Sequence, residues 1–295
     1  MKDIITLIRP KQWIKNIFVI FPIFFGHNIY DLKTWGNIAI LFLAFSLAAS
    51  TVYVFNDLCD KEIDKLHPEK KNRPIACGSI SNNQAQLIIV SLMVLSGSLL
   101  FALGLPKGLY AGYCIICYLI INIIYSLWGK HQPVLDAFFV ASGFLLRVIS
   151  GCLVASIVAS HWLFLMVFFV SLLLAFGKRL EDLLIAEDKK GEQSTRPVVK
   201  FYSSQFLFAT LTLISAILLV LYTLYCVDSE SIELHGKYLY TTIPIVSLGI
   251  IYYLRRVIVD RKYCNPTDLI FKDHGLQAII ICWIIQFYII SYVIA

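Results

Sequence analysis

Charge is scarce in this chain. Asp, Glu, Lys and Arg make up only 15% of its 295 residues, while 59% are hydrophobic. Soluble domains carry about 25% and about 45–50% of these classes. The deficit excludes an ordinary soluble domain and points to a polytopic membrane protein. A secretory leader is also not expected: Met1–Pro10 is short, carries Arg9 directly before Pro10 and offers no small-residue cleavage site. No Gly-rich phosphate loop occurs, which argues against nucleotide hydrolysis, and no histidine pair stands at metalloprotease spacing. The net charge of +6 is no nucleic-acid signature, because the bases lie between apolar runs where the positive-inside rule accounts for them. The eight cysteines form no framework. Cys114, Cys117, Cys152, Cys226 and Cys282 lie in or beside apolar runs. Cys59, Cys77 and Cys264 fall in segments expected in the cytoplasm, where disulfides are rare. Cys114-x-x-Cys117 has metal-knuckle spacing but no second pair or histidine, and reads as buried small apolar residues.

What is abundant is long apolar runs. A span needs about 20 mainly apolar residues. Nine candidates occur, at roughly 14–31, 36–55, 84–104, 108–128, 134–154, 159–177, 204–226, 238–254 and 275–294. The expected fold class is therefore an all-α integral membrane protein of nine transmembrane helices. It forms a single polytopic domain over 1–295, with motif loops at about 56–83 and 178–203. With the amino terminus in the cytoplasm, 21 Lys and Arg residues fall on that side. Only Lys33, Lys107 and Lys237 fall on the other, and Arg147 lies inside a span. This bias sets the orientation and places the carboxy terminus outside.

The charges that do occur are grouped. Asn56-Asp57-Leu58-Cys59-Asp60-Lys61-Glu62-Ile63-Asp64 follows the second apolar run. Aspartates at i, i+3 and i+7 share one face of a helix. Three such carboxylates repel one another unless a cation sits between them. Their oxygens suit Mg2+, which shares its shell with waters and substrate phosphates. Lys65, Lys70, Lys71 and Arg73 follow, on a segment that Pro68 and Pro74 keep from forming one helix. The set reads as metal for a diphosphate and bases for its remaining oxygens; the plain alternative is a charged cytoplasmic loop. Near the amino terminus, Lys11, Lys15 and Asn16 can hold a phosphate arriving from the lipid side, or Met1–Asn16 is an interfacial anchor with Trp13 at the membrane surface.

A second charged stretch, from Lys178 to Lys190, follows the sixth run four spans later, as a duplicated four-helix unit with both motifs facing one cavity requires. Lys178 and Asp182 stand at i, i+4 on one helix face. Gln193–Pro197 is a turn-like breaker; Arg196 within it and Lys200 after it serve as phosphate contacts or solvated loop. In the fifth run Asp136 and Arg147 lie about 16 Å apart along a helix, too far to pair. Charge inside a span normally faces protein or a polar cavity. Arg147 either neutralises a group on another helix or, the favoured reading, floors a polar cavity.

Asn56-Asp57-x-x-Asp60-x-x-x-Asp64 after a second transmembrane helix resembles the first aspartate-rich motif of the UbiA membrane prenyltransferase superfamily. The nine-span plan and the second motif agree. Arg9-Pro10-Lys11-Gln12-Trp13-Ile14-Lys15-Asn16, His67-Pro68-Glu69-Lys70-Lys71-Asn72-Arg73-Pro74-Ile75-Ala76-x-Gly78, and Pro133-Val134-Leu135-Asp136 with Ala141–Arg147 are similar to the polyprenyl-phosphate phosphoribosyltransferase branch. Lys178-Arg179-x-Glu181-Asp182 replaces the second Asp-x-x-x-Asp of the wider superfamily and is closer to the Lys-Arg-x-x-Glu-Leu of that branch, with Asp182 where the branch has Glu.

The resemblance implies a UbiA-like bundle with a polar cavity facing the cytoplasm, in a bacterial plasma (inner) membrane. It implies Mg2+ on Asp57, Asp60 and Asp64, and catalytic roles for Asp57, Asp60 and Asp182. Substrate contacts are implied for Lys15, Asn16, Asn56, Lys70, Arg73, Arg147, Lys178, Arg179 and Glu181, with Arg73 or Lys178 reading a 5-phosphate. The implied reaction joins phosphoribosyl pyrophosphate and a membrane polyprenyl phosphate, releasing pyrophosphate. The alternatives are a prenyltransferase of the same fold that uses an allylic diphosphate and an aromatic or quinone-precursor acceptor, and a transporter. A transporter should carry half-helices interrupted by Gly or Pro at the midplane. Here the charges gather at one face instead.

Overall fold

The computed structural model describes residues 2–26, 29–66, 70–158, 160–188, 197–260, 269 and 272–294. Regular structure among them is helical throughout. Eight helices are long and apolar enough to cross a membrane. They begin with α3 (Leu32–Cys59), α5 (Asn82–Ala102), α6 (Lys107–Leu127) and α7 (Leu135–Ala155). After these come α8 (His161–Asp188), α9 (Ser204–Val227), α11 (Ile243–Arg255, prolonged by a π-helical turn to Asp260) and α12 (His274–Tyr288, prolonged likewise to Ile294). Shorter helices are α1 (Lys2–Ile8), α2 (Phe21–Phe25), α4 (Lys61–Lys65) and α10 (Ser229–His235).

The first expected span, 14–31, takes another form. Pro10–Val19 is a 3-10 helix and α2 is only five residues long. Pro22 fixes its backbone and lacks an N–H, so the run restarts there instead of continuing as one helix. Gly151 on α7 lets this segment approach closely, since a Cβ there would overlap the Val19 carbonyl.

Ends are set by local chemistry. Ser81 and Gln84 form a capping box that starts α5, while Asp31, Ser203 and Asp228 cap α3, α9 and α10. Asp273 caps α12 by accepting from Leu276 N–H, and hydrogen bonds with Leu276 and Tyr252, together with the Arg256 charge, outweigh burial and hold its carboxyl below the usual range. Some hydroxyls inside spans bond to their own helix backbone, as Ser171 does to the Val167 carbonyl and Thr210 to the Phe206 carbonyl.

The chain divides into two compact units, residues 1–129 with 142–159, and residues 130–141 with 160–295. In the first, α3 packs on α5, α6 and the 3-10 segment. Leu41, Phe45, Ala48 and Val52 of α3 meet Ile115 and Tyr118 of α6. Ala44 and Ala48 keep that surface low, and Ser96 of α5 donates to the Ala44 carbonyl at 2.9 Å. In the second, α8 packs on α9 through Leu172, Phe176, Leu180, Leu207, Leu211 and Leu218, with Ala137 and Ala141 at the start of α7. Helices α3 and α8 are each 28 residues, about 42 Å at 1.5 Å per residue. The hydrocarbon layer is about 30 Å, so each can cross it and still carry its charged motif beyond.

The seven described cysteines are free thiols. Cys114, Cys152 and Cys226 are buried, but Cys117 is exposed on the outer face of α6, so only one of the Cys114/Cys117 pair is a core residue. Gln193–Arg196, and with them the bases Lys189, Lys190, Arg261 and Lys262, lie outside the described residues.

Candidate active site

The first unit builds its charged cluster along one face of α3. Ser46, Ser50, Tyr53 and Asp57 fall there at helical spacing, and the amino-terminal segment is bonded along them. Asn16 donates to Ser46 at 2.9 Å, Trp13 Nε1 donates to Ser50 at 2.9 Å, and the Ser50 hydroxyl donates to the Ile8 carbonyl at 2.8 Å. Residues 8 and 13 are thus tied to one serine, and Arg9 lies between them. Arg9 takes a left-handed conformation, φ 52° and ψ 60°, which costs an L-residue of order 1–3 kcal/mol. Its guanidinium lies over the Tyr53 ring at 5.3 Å, and its Nη2 contacts Asp57 Oδ1 at 2.5 Å.

Helix α3 stops at Cys59. Asp60 forms the junction, with φ −93° and ψ 5°, and α4 starts at Lys61. The three aspartates therefore do not share one continuous helix. Asp57 and Asp64 are nonetheless brought together. A 3-10 turn at Lys70–Asn72 delivers Arg73, whose Nη1 lies 3.0 Å from Asp57 Oδ1 and 2.7 Å from Asp64 Oδ2. Asp60 and Lys70 are half-buried nearby in sequence. Asn56 accepts from the Ser126 hydroxyl of α6, while Asn122, the polar residue of the fourth run, turns back to donate to the Tyr118 carbonyl. Beyond the helices, hydrogen bonds with Ser79 lower the Cys77 thiol from its usual value.

Among the described residues no three acidic, histidine or cysteine side chains are grouped as a ready metal cage. The donor set nevertheless fits Mg2+. This ion is usually held by one or two carboxylates together with waters and substrate phosphates, and Asp57 and Asp64 already converge on one cationic nitrogen. A divalent cation in that place would be held by the Asp57 and Asp64 carboxylates.

Two residues expected on the substrate serve in the packing here. Asn16 is fully buried, and its amide oxygen accepts from Arg147 Nε at 2.7 Å. Arg147 also donates to the Gly143 carbonyl at 2.7 Å and to the Tyr118 hydroxyl at 3.3 Å, between the rings of Phe45, Tyr118 and Phe144. It is 4% exposed. The favoured cavity-floor placement is thus replaced by a cage of neutral acceptors and ring faces, which suits a weakly hydrated guanidinium. Lys15, the neighbour of Asn16 in the same 3-10 helix, is half-buried.

In the second unit, α8 carries two opposite sets. Lys178 is half-buried and lies 3.1 Å from Glu181 Oε2 and 3.2 Å from Asp182 Oδ1, the one-face arrangement expected from spacing. Arg179, expected on the substrate, is buried in the core and paired there. Its Nε and Nη2 contact Asp136 Oδ2 at 2.8 and 2.6 Å, and its Nη1 donates to the Ala175 carbonyl. Tyr202 completes this cluster by donating to Asp136 Oδ1 at 3.2 Å and accepting from the Val134 N–H at 2.5 Å. Val134 itself is held at φ 69°, a strained setting for a β-branched residue. Sequence reasoning missed Arg9, Tyr202 and Ser126. All three act across 48 to 70 residues, and only Arg9, inside a noted motif, left a signal to follow.

An all-helical chain with eight helices long and apolar enough to cross a membrane defines the class as an integral membrane protein. The chain belongs to the UbiA prenyltransferase family, which it matches over residues 19–265, and is a transferase of that family. It is 32% identical over 285 residues to decaprenyl-phosphate phosphoribosyltransferase from Corynebacterium glutamicum, covering 95% of this chain and 84% of the relative. It is 33% identical over 301 residues to the protein of the same name from Mycolicibacterium smegmatis, covering 96% and 91%. The fold is shared with a UbiA homolog from Archaeoglobus fulgidus bound to DMAPP and Mg2+, at a TM-score of 0.71 and 18% identity over 99% of both chains.

Proposed function

We propose that this protein transfers phosphoribose from phosphoribosyl pyrophosphate to a membrane polyprenyl phosphate, releasing pyrophosphate. The observation that carries this reading is likeness over nearly the whole chain to two enzymes named for that transfer. The geometry supports it with two buried carboxylates converging on the guanidinium of Arg73.

In this reading Asp57 and Asp64, with Asp60, hold Mg2+. When bound, the ion neutralises the departing pyrophosphate. Asn56, Lys70 and Arg73 orient the diphosphate oxygens. Lys15 takes the lipid phosphate, and in the second unit Lys178, Glu181 and Asp182 offer further polar contacts to substrate. The bond from the anomeric carbon to the pyrophosphate oxygen breaks as a bond from that carbon to the polyprenyl phosphate oxygen forms. The acceptor is already an anion, so no strong general base is required, and the chain contributes orientation and charge stabilisation. Asn16 and Arg147 act by fixing the 3-10 segment that carries Lys15.

Purified protein in lipid, given phosphoribosyl pyrophosphate labelled in the ribose, is expected to yield a labelled lipid only when polyprenyl phosphate is added. Absence of that lipid, together with transfer from an allylic diphosphate to an aromatic acceptor, overturns the reading. We further propose that the site faces the cytoplasm of a bacterial inner membrane. A reporter fused after Ala295 is then expected to read as external and one inserted near Lys189 as cytoplasmic. A cytoplasmic carboxy terminus overturns this orientation.

A further inference from the structure

Arg9 has no part in the reading above, and it precedes residue 19, where the family match begins. Its placement is nonetheless specific. Two hydrogen bonds through Ser50 fix the chain on either side of it, its backbone is held left-handed, and its guanidinium meets the carboxylate that Arg73 also meets. The burial is asymmetric. The Asp57 and Asp64 side chains are 2% and 3% exposed, while those of Arg9 and Arg73 are 29% and 28% exposed. The acids lie beneath and the two arginines cover them.

The charges of these four groups cancel. A divalent cation entering alone gives the cluster an excess of two positive charges in a mostly desolvated place. A diphosphate entering alone faces two buried carboxylates. Entering together, the two leave the cluster close to balance, because each guanidinium can leave its carboxylate for a phosphate oxygen while the cation replaces it. Arginine suits both partners, since its planar fork matches carboxylate and phosphate alike.

We propose that Arg9 is a further diphosphate-binding residue, and that Arg9 and Arg73 together shield the metal-binding carboxylates so that metal and diphosphate bind as a coupled pair. This rests on the assignment of Asp57 and Asp64 to a metal-assisted diphosphate site. Coupling of this kind is reciprocal: whatever the diphosphate does for metal affinity, the metal does for diphosphate affinity.

The test uses the purified full-length protein in lipid nanodiscs, with Mn2+ and inorganic pyrophosphate as probes. Binding of Mn2+ alone is followed by the electron paramagnetic resonance signal of the free ion, and labelled pyrophosphate is measured at saturating Mn2+. Arg9→Gln is expected to tighten Mn2+ alone by about tenfold, because Asp57 loses a competing cation, and to weaken pyrophosphate by about tenfold, because a phosphate ligand is gone. Arg73→Gln is expected to shift both in the same opposite directions. A structural role predicts both affinities falling together, and a plain phosphate contact predicts unchanged Mn2+; either result overturns the proposal. If Arg9→Gln does not fold, Arg9→Lys carries the same test, its compact charge giving a smaller crossing of the same sign. A wild-type protein that binds no pyrophosphate with Mn2+ overturns the donor-site assignment itself. A wild-type that binds it, with no crossing in the variants, overturns only the coupling.

Discussion

Asp57→Asn is expected to lower turnover by about three orders of magnitude while the protein stays folded in the membrane. The size follows from what the carboxylate does in the proposed reaction. Charge stabilisation by a bound metal supplies several kcal/mol of barrier reduction, and about 4 kcal/mol is a thousandfold in rate. Asparagine keeps the shape and one oxygen but loses the charge that both the ion and the two arginines require. The fold is expected to survive because the cations left behind, Arg9 and Arg73, are each more than a quarter exposed and can be hydrated where they stand. A fully buried cation has no such recourse. Chelation with EDTA is expected to produce the same loss in the wild-type and to be reversed by Mg2+. Turnover is measured by phosphoribosyl transfer to lipid and folding by size-exclusion chromatography of the solubilised protein. Full activity after chelation, or in Asp57→Asn, removes the metal from the mechanism.

Much of the architecture was legible because a bilayer leaves few options. Apolar runs of about 20 residues have to be helices, and eight of the expected runs are. The run at 14–31 differs because Pro22 restarts the chain within it, an effect that hydropathy does not register. Local spacing was equally readable: Lys178 and Asp182 meet at i, i+4 as expected. Pairing across the chain was not. Arg147 finds Asn16 across 131 positions and Arg179 finds Asp136 across 43. Sequence shows that a buried arginine needs a partner but not which one packing will bring to it. The break at Asp60 belongs to the same class. Nothing in Asp57–Asp64 forbids a continuous helix, and Arg73, which bridges both acids across the break, is nine residues beyond Asp64.

Arg179 separates a structural from a substrate-binding role most sharply. Arg179→Met is expected to destabilise the protein by about 3–5 kcal/mol, the usual consequence of leaving one member of a buried ion pair without the other. The Arg179 and Asp136 side chains are 2% and 1% exposed, so water cannot take the place of the missing partner. Asp136→Leu alone is expected to cost a similar amount. The double variant Arg179→Met/Asp136→Leu is expected to recover most of the loss, since replacing both ions with apolar side chains of similar volume is often neutral. Recovery falls short of complete because Tyr202 loses its acceptor on Asp136 while still accepting from Val134 N–H. Denaturant unfolding of the three variants in detergent gives the stabilities, and phosphoribosyl transfer by the double variant gives the other half of the result. If Arg179 only holds the second unit together, the double variant regains substantial turnover along with stability. If instead Arg179→Met leaves stability unchanged and raises KM for phosphoribosyl pyrophosphate, the guanidinium leaves Asp136 in the working enzyme and reads substrate, and the buried pair is a resting arrangement.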